Sequence, residues 1–199
     1  MRWYSDFVSK IQALTAREVP DSRGKPTIEV HLAFRGALGT DDVPSGASVG
    51  GHEDKAIDAG AAVAAVNGEI SAALVGKEFN QQSLDDFLIQ LDGTPDKSVL
   101  GANAILGVSI AFARAAAAEQ KVELYEYLGS LAGVTKFSIP EPMFNVLNGG
   151  KHAHNGLDIQ ECMLVPVGFA TISEKVAVAA ACVATLKKIL EEKAYGTEM

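Results

Sequence analysis

NVLNGGKHAHNGLDIQECM, residues 145–163, sets a polar, glycine-containing segment inside an apolar frame. Apolar residues flank it: Pro142, Met143 and Phe144 before, Leu164, Val165 and Pro166 after. Inside it, Gly149-Gly150 is followed by Lys151, His152 and His154, and then by the Gln160-Glu161 pair. The pattern predicts two short buried strands joined by a polar loop. Gly-Gly lets the chain turn sharply where the first strand ends. An acid beside an amide in an apolar run is costly unless each finds a partner or takes part in chemistry. Both readings of Glu161 stay open at this point: a satisfied, half-exposed strand residue, or a working group.

Upstream, residues 11–18 read as a strand that stops at Pro20. Residues 21–26, DSRGKP, are turn chemistry throughout, because Asp and Ser bond their own backbone, Gly turns and Pro resists a ladder. Residues 27–34 then alternate. Ile28, Val30, Leu32 and Phe34 point one way and Glu29, His31 and Arg35 the other, as in a half-buried strand. The two runs predict an antiparallel hairpin, with His31 on the solvated face. Residues 36–51, GALGTDDVPSGASVGG, lack a sustained period and read as a long loop, of a length that is either functional or disordered. Its SGAS core offers small side chains, free amides and hydroxyls that can approach an anion or a bound cation. The GxxxxGK[ST] spacing of a P-loop is missing.

Helical spacing returns in residues 57–74, with Val63, Val66, Ile70 and Leu74 on one stripe and Gly76 as terminator. A second helix is predicted over residues 83–91, with Ser83 as N-cap. A third, alanine-dense helix covers residues 101–120, where Gly101 and Gly107 mark close backbone packing. A short helical turn follows at residues 124–128. The character changes near residue 138, where a domain boundary is expected. A last helix opens on Thr171-Ile172-Ser173-Glu174, a capping-box pattern. It runs to about Lys193, with Val176, Ala180, Val183, Leu186 and Leu190 as its expected buried stripe.

The chain has 199 residues, 48% hydrophobic and 21% charged, enough for a folded core and against wholesale disorder. Its formal net charge is -8, and no dense Lys/Arg cluster points to nucleic acid. Cys162 and Cys182 are too few for a disulfide framework and read as buried free thiols. The opening MRWYSDFVSK lacks the apolar centre of a secretory signal. The longest apolar run, residues 176–186, falls short of the ~20 residues of a membrane helix. These readings predict a cytoplasmic protein with no membrane span.

Five windows, in order, carry a resemblance: DSRGKPTIEV (21–30), VPSGASVG (43–50), LDGTPDKSVLGANAILGVSIAFARAAA (91–117), LYEYLG (124–129) and PMFNVLNGGKHAHNGLDIQECMLVP (142–166). Together they closely resemble the enolases, and the likeness runs from about Ala16 to about Lys193. The resemblance implies an α+β N-terminal domain over residues 1–138, a three-stranded meander plus helices. Residues 139–199 then resemble the first two strands and first long helix of a β/α barrel, which stays incomplete.

The same resemblance implies a reaction. Enolases interconvert 2-phosphoglycerate and phosphoenolpyruvate, usually as homodimers, with two Mg²⁺ ions. Taking a proton from a carbon beside a carboxylate makes a doubly charged enolate, so metal ions and a nearby base are needed, and an acid must help expel the 3-hydroxyl. By motif, Ser48 resembles the loop serine that binds the second Mg²⁺, with Gly46 and Ala47 as its loop partners toward substrate. His152 resembles the histidine near the substrate phosphate or hydroxyl. Gln160 and Glu161 resemble substrate-binding and acid-side groups, so His152 and Glu161 are the expected catalytic residues.

The sequence also departs from the pattern. The family's first-site carboxylates, lysine base and phosphate-binding arginine belong to later barrel strands. Its GDEGGFAP motif is expected near residue 196, where this chain reads AYGTEM. Val49 stands where the family usually has Thr, and Cys162 where it has Phe. Residues 53–61, EDKAIDAGA, lack the ELRDGD pattern of the dimer-side surface. The expectation is a truncated enolase that is inactive alone and needs the missing C-terminal residues, with a homodimer or a complementing C-terminal half as its expected partner. The alternative is a non-catalytic enolase-like binding or regulatory protein.

Overall fold

In the computed structural model, which describes residues 7–46, 50–150, 155–193 and 195, the alternating run around Ile28 forms the middle strand of a three-stranded antiparallel sheet. Strands β2 (Ala13–Pro20), β3 (Pro26–Ala33) and β4 (Leu38–Asp42) lie in that order, and a two-residue strand β1 (Ser9–Lys10) precedes them. Val30 pairs with Ala16 on one side and Asp41 on the other. Ile28, Val30, Leu32 and Phe34 are buried, as the alternation requires. The outward face carries Arg17, Glu29 and His31. His31 is half-buried there, its ring nitrogens 2.7 Å from Glu29 Oε1 and 3.0 Å from Thr40 Oγ1.

Strand β4 corrects the reading of residues 36–51 as one continuous loop. Its inward positions are Gly39, which carries no side chain, and Asp41, which pairs with Arg114 of the covering helix, so no apolar period of two shows. A Cβ on Gly39 would sit 1.9 Å from the carbonyl oxygen of Ala111. The strand therefore lies directly against the backbone of the long helix that covers the sheet.

That helix, α4 (Ala102–Gln120), is buried along Ala104, Val108, Ala111, Phe112, Ala115 and Ala116. Alanines let it approach the sheet closely, and Gly107 sits where a Cβ would meet Val30 Cγ2 at 2.7 Å. Helix α1 (Ala59–Ala65) continues through a π-helical turn, Val66–Ile70, into α2 (Ser71–Leu74). Val66, Ile70 and Leu74 are buried as the stripe predicts. In the π turn, Asn67 Nδ2 donates to the Ala16 carbonyl at 2.9 Å and its Oδ1 accepts from the Ala16 amide at 2.7 Å. An amide side chain thus occupies the β2 edge that would otherwise stay open for another strand.

Strand β5 (Glu78–Phe79) pairs with β1. Helix α3 (Gln81–Asp92) begins two residues earlier than expected. Its N-cap is Asn80, and Ser83 answers from the third helical position to close a capping box. Ser83 is therefore not the N-cap expected but the third helical residue, because Asn80 already caps the amide of Ser83. Helix α5 (Leu124–Leu131) completes this unit and buries Tyr127.

Asp92 closes the connection from α3 to α4. Its carboxylate accepts from the Thr94 amide at 3.0 Å, the Thr94 hydroxyl, the Val99 amide at 3.1 Å and the buried Leu100 amide at 2.6 Å. Burial alone pushes this carboxyl up, but the hydrogen bonds outweigh it and hold it below its ordinary value. Asp92→Ala is expected to cost about 3 kcal/mol, because buried amides lose their acceptor, as read from urea unfolding midpoints. The folded-state pKa lies below the unfolded one. The contribution is therefore complete above pH ~4 and is lost as pH falls through the folded value, so wild type and variant converge in acid.

The chain divides into two compact units between Lys136 and Phe137. The second contains β6 (Phe144–Asn148), β7 (Glu161–Leu164) and α6 (Ile172–Glu192). The strands pair antiparallel with a bulge at Val146, since Asn145 faces Met163 and Leu147 already faces Cys162. They are not the buried strands expected: Met163 is exposed, and Phe144, Leu147 and Leu164 are half-buried. Thr171 and Glu174 form the expected capping box. The buried residues of α6 are Lys175 and Ala179, with Val183, Leu186 and Leu190 half-buried, whereas Val176 and Ala180 are exposed. Val176, Ala180 and Val183 instead line an open groove with Met143 and Phe144. Two strands and one helix have too little surface to bury both faces of a sheet. For the same reason Cys162 and Cys182, expected to be buried, are free and exposed.

Candidate functional site

Ser45 and Gly46, the described start of the SGAS stretch, follow shortly after β4 and are held by the β2–β3 turn, which is built around Asp21. The Asp21 carboxylate accepts from the amides of Arg23 and Lys25, each at 2.8 Å, and Gly24 takes the left-handed conformation at φ +74°. Ser45 Oγ donates to Asp21 Oδ2 at 2.6 Å. Arg23 Nη2 donates to the Ser45 carbonyl at 2.7 Å and lies 3.3 Å from the Gly46 carbonyl. The Ser45 hydroxyl first, then the backbone amides and the Arg23 charge, hold the Asp21 carboxyl at about 2. Gly46, one of the predicted loop residues, is thus placed and exposed. Ala47 and Ser48 lie outside the described residues.

In the second unit, the Gly149-Gly150 pair follows β6 as expected, and each glycine has its own reason. A Cβ on Gly149 would meet the Ile159 carbonyl oxygen at 2.4 Å, whereas Gly150 adopts φ +59°. The Gly149 amide donates to the Gln160 carbonyl at 2.9 Å, and the Gly150 amide to the Leu157 carbonyl at 2.8 Å. Asn155 Nδ2 donates to the Asn148 carbonyl at 2.7 Å. These bonds close the base of the loop, so residues 150 and 155 are held on a fixed stem. Glu161 opens β7 opposite Asn148 and is half-buried; Gln160, just before it, is exposed. His152 lies outside the described residues. The structure therefore brings Gln160 and Glu161 to the glycine turn in one unit and fixes Gly46 in the other.

Asp21 and Arg23 were read from sequence as turn residues alone. Their further contact was signalled only by a long cation in a turn whose backbone already had partners in Asp21 and Gly24. Among the described residues, no group of three His, Cys, Asp or Glu side chains converges to hold a metal ion. These residues do not by themselves fit a divalent cation, which needs several converging oxygens. Strongly perturbed groups also occur elsewhere. Burial and the nearby Asp85 charge push the Tyr127 hydroxyl up to about 12 inside the first unit's core.

The sequence matches known families over both units. The family model of the enolase N-terminal domain matches residues 11–128, and that of the enolase C-terminal TIM barrel domain matches residues 136–199. The chain belongs to the enolase family. It is 47% identical over 207 aligned residues to the enolase of Anaplasma phagocytophilum (strain HZ), covering 98% of this chain and 48% of that protein. It is 49% identical over 199 residues to enolase 1 of Lactococcus lactis subsp. cremoris (strain SK11), covering 94% of this chain and 47% of that protein. The chain thus spans about half the length of these relatives. The open two-stranded sheet and single long helix of the second unit agree with a barrel that is only partly present. Among the described residues, no helix is long and apolar enough to cross a membrane.

Proposed function

We propose that this chain supplies the N-terminal domain, residues 1–138, and the first barrel elements, residues 139–199, of a Mg²⁺-dependent phosphopyruvate hydratase. The reaction is the interconversion of 2-phosphoglycerate and phosphoenolpyruvate in cytoplasmic glycolysis, completed by a complementing C-terminal half, with a homodimer as the expected assembly. Ser48, flanked by Gly46 and Ala47, offers loop oxygens to a metal. His152 and Gln160 contact substrate, and Glu161 acts on the side of the departing hydroxyl. Mg²⁺ supplies charge stabilisation when bound. The further metal ligands and the base come from barrel strands beyond those seen here.

The observation that carries this reading is the match of two consecutive enolase domains in order. The glycine-closed stem that seats Glu161 at the head of β7 supports it. The test is phosphoenolpyruvate formation from 2-phosphoglycerate with Mg²⁺, using the 199-residue chain with and without the C-terminal half of Lactococcus enolase 1. Activity only on mixing is expected. No activity in either case, from folded protein, favours the non-catalytic binding role.

A further inference from the structure

We infer that Arg23, braced by Asp21, is a positioning residue that fixes the backbone entering the Ala47-Ser48 segment. The inference rests on the enolase reading above for the use made of that segment. The geometry is specific. Arg23 extends from the β2–β3 turn to a loop 22 residues away, and one guanidinium nitrogen, Nη2, serves several acceptors there. It donates to the Ser45 carbonyl at 2.7 Å, with Ser45 Oγ at 3.2 Å, the Gly46 carbonyl at 3.3 Å and Asp21 Oδ2 at 3.4 Å also within reach. The Ser45 hydroxyl accepts from Arg23 and donates to Asp21, which closes a ring of contacts. Asp21 is itself locked by the Arg23 and Lys25 amides, so the anchor is part of the sheet's turn and not of the loop.

Position decides what this ring can do. Ser45 and Gly46 immediately precede Ala47 and Ser48. Gly46 has no side chain to limit its own backbone. Without an outside hold, the segment after β4 samples many directions, and that freedom must be surrendered whenever it engages a ligand. A guanidinium that grips two successive carbonyls limits it beforehand. The Asp21 carboxyl, held at about 2, keeps its charge across the working range, so the ring does not depend on pH above ~4.

Two measurements test this separately. In the 199-residue chain, Arg23→Ala is expected to lower the backbone amide NMR order parameters of residues 45 and 46 into the flexible range, below about 0.6. Order parameters in β2 and β3 should stay unchanged, which shows that the variant folds. Arg23→Lys keeps one charged donor but not the planar fork, and should fall between the two. In the mixture with the C-terminal half, Arg23→Ala is expected to lower kcat/KM by roughly 10- to 100-fold, with partial recovery in Arg23→Lys. Unchanged order parameters would overturn the hold itself. Lower order parameters with unchanged kcat/KM would overturn the positioning role and leave a purely local anchor. An inactive wild-type mixture alongside lower order parameters in Arg23→Ala would refute the enolase reading, and the positioning role with it, while the hold stands.

Discussion

Glu161→Gln is expected to lower kcat of the reconstituted enzyme by ~10²–10⁴-fold, the range that a positioned acid or base contributes. That corresponds to roughly 3–5 kcal/mol of barrier. The two side chains have nearly the same shape, and Glu161 is half-buried at the head of β7 opposite Asn148. The substitution therefore leaves the strand pairing and the glycine turn in place. What it removes is the ability to hold or hand over a proton, which a carboxamide lacks. KM should move far less than kcat. Steady-state kinetics on the mixture make the check. An unchanged kcat would remove Glu161 from the chemistry and return it to the half-exposed strand residue that the sequence equally allowed.

Gly39→Ala is expected to destabilise the first unit by about 3 kcal/mol, at the upper end of overpacking costs. The added Cβ would lie 1.9 Å from the Ala111 carbonyl oxygen and 2.5 Å from the Ala115 amide nitrogen. Both are backbone atoms of α4, so no rotamer change relieves the clash. Either β4 or α4 must withdraw, which opens the packing around Val108 and Phe112. For a unit of this size the loss corresponds to a Tm lower by on the order of 10 °C. Gly68→Ala is the contrast. It lies in the helical run with nothing within 4 Å of its added Cβ. There the substitution should be neutral or gain up to ~1 kcal/mol, since alanine is the better helix former. Thermal unfolding of both variants separates a steric requirement for glycine from an incidental one.

What could be read in advance follows from the physics of each signal. The alternation of residues 27–34 and the alanine-rich period of α4 were legible because one face of each is buried within its own unit. The capping box at Thr171 was legible because it is written in four consecutive residues. Strand β4 was not, since its inward positions are a glycine and an aspartate, and neither marks an apolar face. The exposure of β6, β7 and one side of α6 was not either. Apolar pattern reports which residues need cover, whereas burial depends on how much surface the neighbouring elements provide. The residues of the candidate site came from motif resemblance. The brace formed by Asp21, Arg23 and Ser45 was hidden, because it joins a turn to a loop through side chains with no periodicity.

If these residues form the working first half of an enolase, they support turnover once the rest of the barrel is supplied. A single-chain chimera checks this: residues 1–193 of this chain joined to the remainder of Lactococcus enolase 1, which is 49% identical over 199 aligned residues. The measurement is the kcat/KM of the folded chimera for 2-phosphoglycerate with Mg²⁺, with and without Ser48→Ala. Turnover that Ser48→Ala largely abolishes is expected. A folded chimera without activity, or one indifferent to Ser48, would show that these residues do not play that part.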